Sequence, residues 1–125
     1  MEYRSEWLET EAVDSARLEA LLKDRSAGEC DFVLVDVREP FEYEEAHLPG
    51  VDLLRPTSRF QAWAQELIEL SRQRPVILTC RTGNRTGQVQ QILNANGAGR
   101  LIDHRGGIMQ WRGEIVRNDS AKGVS

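Results

Sequence analysis

Residues 75–97 contain the strongest candidate for a reactive side chain. The segment reads PVILTCRTGNRTGQVQQILNANG, with Cys80 at the start of a short polar loop. The apolar residues 76–79 before the loop predict a buried strand. The helix after the loop is expected to begin near Thr86 and to end at Asn96-Gly97. A cysteine placed between a strand and a helix in this way is our candidate nucleophile.

The residues of the loop explain why this cysteine could be reactive. Gly83 can adopt a positive φ at no steric cost, and Asn84 tolerates one better than most residues. A tight loop of this kind turns successive backbone N–H groups inward to form an anion-binding nest. The following helix directs its positive end at the same point, and Arg81 and Arg85 add positive potential. We therefore expect the loop to stabilise a Cys80 thiolate and to hold an anionic substrate.

A second polar group follows an earlier buried strand. Residues 32–35 are a continuous apolar run, which is typical of a strand buried on both faces of a parallel sheet. Ligand sites in such sheets lie beyond the carboxyl ends of the strands. Asp36 and Arg38 should therefore lie at the same edge as Cys80. We interpret them as supporting groups that hold the loop by hydrogen bonds and ion pairing.

Three blocks of the chain, taken together, resemble the single-domain rhodanese family of sulfurtransferases. Their order and spacing match that family over about residues 13–118. The first block resembles its DVREPxEYxxxHIPGA signature, the second its CRSGNRS active-site loop and the third its closing GGxxxW segment. The blocks are Asp36-Val37-Arg38-Glu39-Pro40 with Glu42-Tyr43 and His47-Leu48-Pro49-Gly50, then Cys80-Arg81-Thr82-Gly83-Asn84-Arg85-Thr86, then Gly106-Gly107-Ile108-Met109-Gln110-Trp111.

The resemblance implies an α/β fold with three layers, in which a mostly parallel central sheet is flanked by helices on both faces. It implies a sulfurtransferase that moves a sulfane sulfur from thiosulfate or a persulfide donor to a thiol, a protein or cyanide. Cys80 would carry the sulfur as a persulfide, and neither a cofactor nor a metal would be required. The implied substrate-binding residues are Arg81, Thr82, Gly83, Asn84, Arg85 and Thr86.

Length and composition set further limits. A chain of 125 residues suits one domain with one core. We divide it into an N-terminal arm at residues 1–12, forming a leading strand or a loose segment, a rhodanese-like domain at 13–118 and a disordered tail at 119–125. Ser58 and Gln61 match a capping box at the start of a helix that carries an aromatic stripe.

The net charge of −4 argues against a broad nucleic-acid surface. The sequence shows neither a signal peptide nor an apolar run of membrane-spanning length, so we expect no membrane partner. Two cysteines are too few for a disulfide framework and fit a reduced cytoplasmic protein. The expected partners are a small anionic sulfur donor and a thiol or protein acceptor.

The chain departs from the family pattern in two places. Arg55 and Arg59 follow the first block and add charges whose position the sequence leaves open. His104 and Arg105 precede the glycine pair, where the family often has an apolar and an acidic residue. We expect this second departure to make the pocket more positive and to favour a more anionic donor.

Two other functions are considered. A cysteine phosphatase of the cell-cycle dual-specificity type shares this fold, but its loop has five residues between the cysteine and the arginine. This chain has four, Arg81 to Asn84, which favours a single sulfur atom over a tetrahedral phosphate. The other alternative is a non-catalytic rhodanese-like binding module, although such modules typically lose the cysteine that this chain retains.

Overall fold

The computed structural model describes residues 2–117, so the predicted tail at 119–125 lies outside the described residues. Seven strands and four α-helices alternate along the chain, with 3₁₀ helices at Glu2–Glu9, Thr57–Arg59 and Gly107–Gln110 among the described residues. The elements are β1 (Ala12–Val13), α1 (Ser15–Ser26), β2 (Val33–Asp36), α2 (Pro40–Glu45), β3 (Ala46–His47), β4 (Leu53–Leu54), α3 (Phe60–Gln73), β5 (Val76–Thr79), α4 (Asn84–Ala95), β6 (Leu101–His104) and β7 (Val116–Arg117).

A five-stranded sheet with the order β1-β6-β5-β2-β4 forms the centre of the molecule. All of its pairs are parallel. The register places Ile77 of β5 beside Leu34 of β2 and Ile102 of β6. A separate antiparallel pair joins β3 to β7. The sheet and its helices confirm the expected α/β class.

Alternation along the strands divides the buried residues into two clusters, one on each face of the sheet. Leu78 and Cys80 lie in the cluster that includes Trp63 of α3 and Val89 of α4. The other cluster brings residues of α1 and the N-terminal segment together with central strand residues and Trp111. Its members are Leu8, Val13, Leu18, Leu21, Phe32, Leu34, Leu48, Ile77, Ile102 and Trp111. Helices therefore cover both faces of the sheet, as expected.

The N-terminal segment differs from the prediction of a leading strand or a loose arm. Residues Glu2–Glu9 form a 3₁₀ helix, and strand structure is limited to Ala12–Val13. Leu8 is buried in the core and the ring of Trp7 packs under the Arg17 guanidinium. The segment is held because its apolar side chains complete the core cluster on the α1 side of the sheet.

Two predicted helix starts differ from the structure. The helix after the Cys80 loop begins at Asn84, two residues before the predicted Thr86. The capping box expected at Ser58 is absent, because α3 begins at Phe60 and its preceding residue makes no side-chain capping bond. The Ser58 hydroxyl donates instead to the Glu39 carboxylate at 2.6 Å. This bond links the start of α2 to the segment before α3.

Within residues 2–117, none of the helices has the length and apolar character needed to cross a bilayer.

Candidate active site

The loop that follows Cys80 turns sharply because Gly83 adopts a left-handed conformation, with φ of 100° immediately before α4. That conformation directs the Gly83 N–H at Cys80, and it donates to Sγ across 3.0 Å. Cys80 is fully buried at the carboxyl end of β5. The loop therefore supplies a backbone donor to the sulfur at the positive end of a 12-residue helix.

The glycine pair holds the loop in place from the other side. The N–H of Ile108 donates to the Cys80 carbonyl, and the N–H of Met109 donates to the Arg81 carbonyl, each at 2.9 Å. Gly107 has φ of 58°, and a Cβ added there would lie 2.5 Å from the Cys80 carbonyl oxygen. Only glycine permits this close approach of backbone to the loop.

Thr86 lies behind the sulfur. Its Oγ1 is 3.7 Å from Cys80 Sγ, 2.9 Å from the Gly83 carbonyl oxygen and 2.5 Å from Asp103 Oδ1. Thr86 is fully buried and Asp103 is half-buried. Desolvation raises the pKa of the Asp103 carboxyl, partly offset by the hydrogen bond from Thr86.

Asp103 is a polar neighbour of the sulfur that sequence reasoning missed. The signal was present, since Asp103 lies in β6, which is parallel to β5, and pairs in register with Leu78. Residues in register share a face, and Cys80, two residues after Leu78, lies on that same face. The sequence alone did not show that β5 and β6 are neighbours.

Arg85 forms a bidentate ion pair with Glu42 of α2, with distances of 2.8 and 3.0 Å. This hydrogen-bonded guanidinium lowers the pKa of Glu42 to about 2. Glu42 also accepts the N–H of Glu39 and completes a capping box at the start of α2. Arg85 therefore fastens the loop to α2, and much of its charge is already neutralised there.

The remaining loop side chains face outward. Arg81, Thr82 and Asn84 are exposed. Thr82 Oγ1 accepts the N–H of Asn84 at 3.4 Å, a weak local bond. Arg81 is thus the loop guanidinium that is open to an approaching anion.

Asp36 and Arg38 lie at the expected edge of the sheet and form a buried pair. The Asp36 carboxylate accepts the Arg38 backbone N–H at 2.9 Å and the guanidinium at 2.9–3.2 Å. Arg38 also donates to the Ala46 carbonyl at 2.6 Å. Among the described residues, these side-chain bonds hold the α2–β3 segment and do not reach the loop itself. The N–H of Val37 donates to the Thr79 carbonyl and so joins this segment to the residue before Cys80.

His104 does not add charge to the pocket, so that expectation is wrong. Its ring is fully buried on the face of the sheet opposite Cys80, 2.8 Å from the hydroxyls of Ser15 and Thr79. Burial lowers the pKa of His104 to about 4, so the ring is neutral. Arg105 is exposed and lines a cavity of about 510 Å³ with residues that include Asp14 and Glu19.

The structure also shows the positions of Arg55 and Arg59, which the sequence left open. Arg55 forms a bidentate pair with Glu66 of α3, at 2.7 and 2.8 Å. Arg59 is exposed at the end of the 3₁₀ helix that precedes α3. The charge of Arg55 is thus matched by a carboxylate outside the catalytic loop.

The family model for the rhodanese-like domain matches residues 17–114, which include the whole loop and the glycine pair. The chain belongs to the rhodanese-like family. Its relatives include a sulfurtransferase of Allochromatium vinosum, 33% identical over 72% of this chain and 80% of that protein. A thiosulfate:glutathione sulfurtransferase of Saccharomyces cerevisiae is 30% identical over 63% of this chain and 63% of its own length. The uncharacterized protein YqhL of Bacillus subtilis is 35% identical over 66% of this chain, which spans 62% of that protein.

Solved structures show the same fold. A rhodanese-related protein from Thermoplasma volcanium superposes with a TM-score of 0.68 at 24% sequence identity, covering 86% of this chain and 98% of the other.

Proposed function

We propose that this rhodanese-like protein is an active sulfurtransferase that carries sulfur as a persulfide on Cys80. The observation that carries the proposal is the hydrogen bond from the Gly83 N–H to Cys80 Sγ at 3.0 Å. A backbone donor at a helix N-terminus favours the anionic form of the sulfur, and the thiolate is the nucleophilic form of cysteine. A cysteine kept only for packing would not need this donor.

In the first half-reaction, the Cys80 thiolate attacks the outer sulfur of thiosulfate or of another sulfane donor. A new S–S bond forms to Cys80, and the bond from the outer sulfur to the sulfonate sulfur breaks. The electron pair of that bond leaves with sulfite. The persulfide keeps the negative charge, so the loop amides that favour the thiolate favour the product as well.

In the second half-reaction, a thiol acceptor takes the outer sulfur and Cys80 leaves as a thiolate. Cyanide would serve as an acceptor in a test tube. The name of the yeast relative, a thiosulfate:glutathione sulfurtransferase, supports thiosulfate as donor and a small thiol as acceptor. We also place the reaction in a reducing compartment such as the cytoplasm, because Cys30 and Cys80 are both free thiols.

The loop residues have separate roles in this proposal. Arg81 is exposed and attracts the donor anion, whereas Arg85 braces the loop through Glu42. The backbone of Thr82 to Asn84 shapes the nest, and the Thr86 hydroxyl contacts the sulfur from behind. The Asp36–Arg38 pair supports the site indirectly, because it fixes the α2–β3 segment that carries Glu42.

Burial of Cys80 is the observation that favours the second candidate, a binding module that does not turn over. The residue has 0% exposure, so this arrangement gives a donor no direct access to the sulfur. A phosphatase has less support, because the four residues between Cys80 and Arg85 leave a smaller loop than phosphate requires.

Sulfur loading on the intact protein tests the proposal. The reduced protein is incubated with thiosulfate and its mass is recorded, with the Cys80→Ala variant as control. We expect the native chain to gain one sulfur atom, released again by a thiol, and the variant to gain none. Cys30 remains in both proteins and reports nonspecific loading. If the mass does not increase with thiosulfate or with an organic persulfide, the sulfurtransferase proposal is overturned and the binding module remains.

A further inference from the structure

The hydrogen bonds around Thr86 cannot all be made at once. A threonine hydroxyl has one hydrogen and two acceptor lone pairs. Its three neighbours are Cys80 Sγ at 3.7 Å, the Gly83 carbonyl oxygen at 2.9 Å and Asp103 Oδ1 at 2.5 Å. If Cys80 is a thiolate and Asp103 is a carboxylate, every neighbour accepts and one hydrogen must serve all three.

One added proton removes the shortage. When Asp103 is a neutral carboxyl, its O–H donates to Thr86 Oγ1, and the hydrogen of Thr86 is free to point at the thiolate. The Gly83 carbonyl already accepts the N–H of Gly87 at 3.0 Å, so it does not depend on the hydroxyl. Thr86 Oγ1 and Asp103 Oδ1 are 2.5 Å apart, within reach of a hydrogen bond in either direction.

We propose that Asp103 holds the proton that Cys80 gives up, and that Thr86 passes it between them. The thiol hydrogen moves to Thr86 Oγ1, and the former hydroxyl hydrogen moves to Asp103 Oδ1. The products are a Cys80 thiolate that accepts from Thr86 and a neutral Asp103 that donates to Thr86. No external base is needed, and the total charge of the three residues is unchanged.

The surroundings of Asp103 favour this assignment. Desolvation raises the pKa of its carboxyl, and Arg105 is the described charged residue that opposes the rise. Other titratable or charged residues also lie on the elements around it. His104 is neutral on the opposite face of β6, Arg85 is paired with Glu42 on α2, and Glu11 accepts the Asp103 N–H through its backbone carbonyl.

This inference deepens the proposed function, since it concerns the same sulfur and rests on Cys80 acting as a thiolate. Asp103 touches the sulfur only through Thr86, so it is a positioning residue. It keeps the thiolate supplied with a hydrogen bond, and it keeps a negative carboxylate away from an incoming sulfur anion.

The test is the titration of Asp103 in the full reduced chain, followed through its carboxyl ¹³C signal. In the native protein the thiolate lies close by, so it opposes ionisation of Asp103. In Cys80→Ser the hydroxyl stays neutral. We expect the midpoint of Asp103 to fall by about one pH unit in that variant. Equal midpoints in the two proteins would overturn the proposal.

Two variants of Thr86 separate the hydroxyl route from a simple effect of charge. Thr86→Ser keeps the hydroxyl and should keep the native midpoint of Asp103. Thr86→Val has a similar shape without the hydroxyl, and the difference between the native and Cys80→Ser backgrounds should shrink by more than half. An undiminished difference in Thr86→Val would mean that charge acts directly across space, and it would overturn the role of Thr86.

Sulfur loading is measured on the same proteins as a separate readout. We expect the loading rate of the native chain to fall as the pH rises through the Asp103 midpoint, and the fall to be absent in Asp103→Asn. Loading with no such dependence would overturn the role of Asp103 in supplying the thiolate. If the ¹³C titration behaves as expected but no sulfur is loaded at any pH, the proposal that Asp103 holds the Cys80 proton is retained and the proposed function is overturned.

Discussion

Two polar clusters lie on opposite faces of the same pair of strands, β5 and β6. The His104 cluster consists of Ser15, Thr79, His104 and the edge-on ring of Trp111. The Cys80 cluster consists of Cys80, Gly83, Thr86 and Asp103. Thr79 ends β5 and Cys80 follows it, while Asp103 and His104 are neighbours in β6, so each pair of neighbours sends one residue to each face.

The clusters differ in how their hydrogens are matched. Neutral His104 has one nitrogen that donates and one that accepts, and it lies between two hydroxyls that complete both bonds. When Cys80 is a thiolate, as the proposed function requires, the Cys80 cluster has more acceptors than hydrogens unless Asp103 is protonated. A saturated cluster stabilises one arrangement, whereas an unsaturated one can change its protonation during a reaction. A buried polar cluster can therefore have a structural role or a role in the reaction. The balance of its hydrogen-bond donors and acceptors distinguishes the two.

The largest expected effect comes from Gly107→Ala, which should disrupt the Cys80 cluster and leave the His104 cluster intact. The added Cβ would lie 2.5 Å from the Cys80 carbonyl oxygen and 2.6 Å from that of Arg81, at a φ of 58°. We expect a loss of about 4 kcal/mol in the free energy of unfolding, from strain and overpacking together. Denaturant unfolding measures it, and sulfur loading should be lost in the protein that remains folded.

Gly28→Ala is the matched control for Gly107→Ala. Gly28 has φ of 79°, and within the described part of the chain its added Cβ would meet no atom closer than 4 Å. Gly28→Ala should lower the free energy of unfolding by about 1 kcal/mol, from the left-handed backbone conformation alone. Sulfur loading should be unchanged. Equal losses in the two variants would show that the contact between the glycine pair and the loop contributes little.

Acid should weaken the His104 cluster. The pKa of His104 is lowered from 6.5 to about 4 by burial, so the unfolded chain binds the proton more readily than the folded chain. The stability contributed by the neutral ring is complete above pH 6.5 and is lost as the pH falls towards 4. We expect this loss to reach about 3 kcal/mol, measured as the difference in unfolding free energy between the two ends of that range.

The His104→Gln variant isolates that contribution. Its amide does not titrate, whereas His47 and all carboxylates are common to both proteins. The difference in pH dependence between native and variant therefore reports His104 alone. A native protein with the same slope as the variant between the two pH values would contradict the assignment of a neutral, buried ring.

The contrast between the clusters also shows what the sequence could reveal. The apolar runs of β2 and β5 predicted strands buried on both faces, and the loop between β5 and α4 predicted an anion nest. Local chemistry was enough for both, because a turn with glycine and a following helix forms from neighbouring residues. Cys80 was found in the same way, and the glycine pair was found through the resemblance of its segment to the family.

Asp103, Glu42 and His104 were harder to interpret, because their roles depend on which elements become neighbours. Glu42 lies 43 positions from Arg85, and Asp103 reaches Thr86 only because β6 pairs with β5. His104 was placed in the pocket since it precedes the glycine pair. Alternation along β6 would have corrected this, because Asp103 and His104 cannot share a face.

The ion pair that attaches the loop to α2 should make a moderate contribution to the free energy of unfolding. Arg85 and Glu42 are bidentate, and their side chains are 31% and 18% exposed. Arg74 and Asp31 form another bidentate pair, through Nε and one terminal nitrogen of Arg74, with 44% and 64% exposure. Double-mutant cycles to alanine should give a coupling of about 1 kcal/mol for the first pair and about 0.3 kcal/mol for the second. Similar couplings would mean that the loop gains no special support from α2.

Arg81→Ala should have the smallest effect, confined to donor binding. Arg81 is exposed on the loop and makes no contact with the sulfur among the described hydrogen bonds, so its charge acts on the approaching anion. We expect the KM for thiosulfate to rise about fivefold with kcat unchanged, as for the loss of about 1 kcal/mol of exposed electrostatic attraction. Arg100→Ala removes an equally charged side chain just before the amino end of β6, 47% exposed, at the end of the strand opposite to the one that Asp103 approaches. It should leave KM unchanged at low salt, and added salt should narrow the difference between the two variants. A fall in kcat for Arg81→Ala would instead mean that this arginine acts in the transition state, and that the hydrogen bonds of the Cys80 cluster do not supply the stabilisation alone.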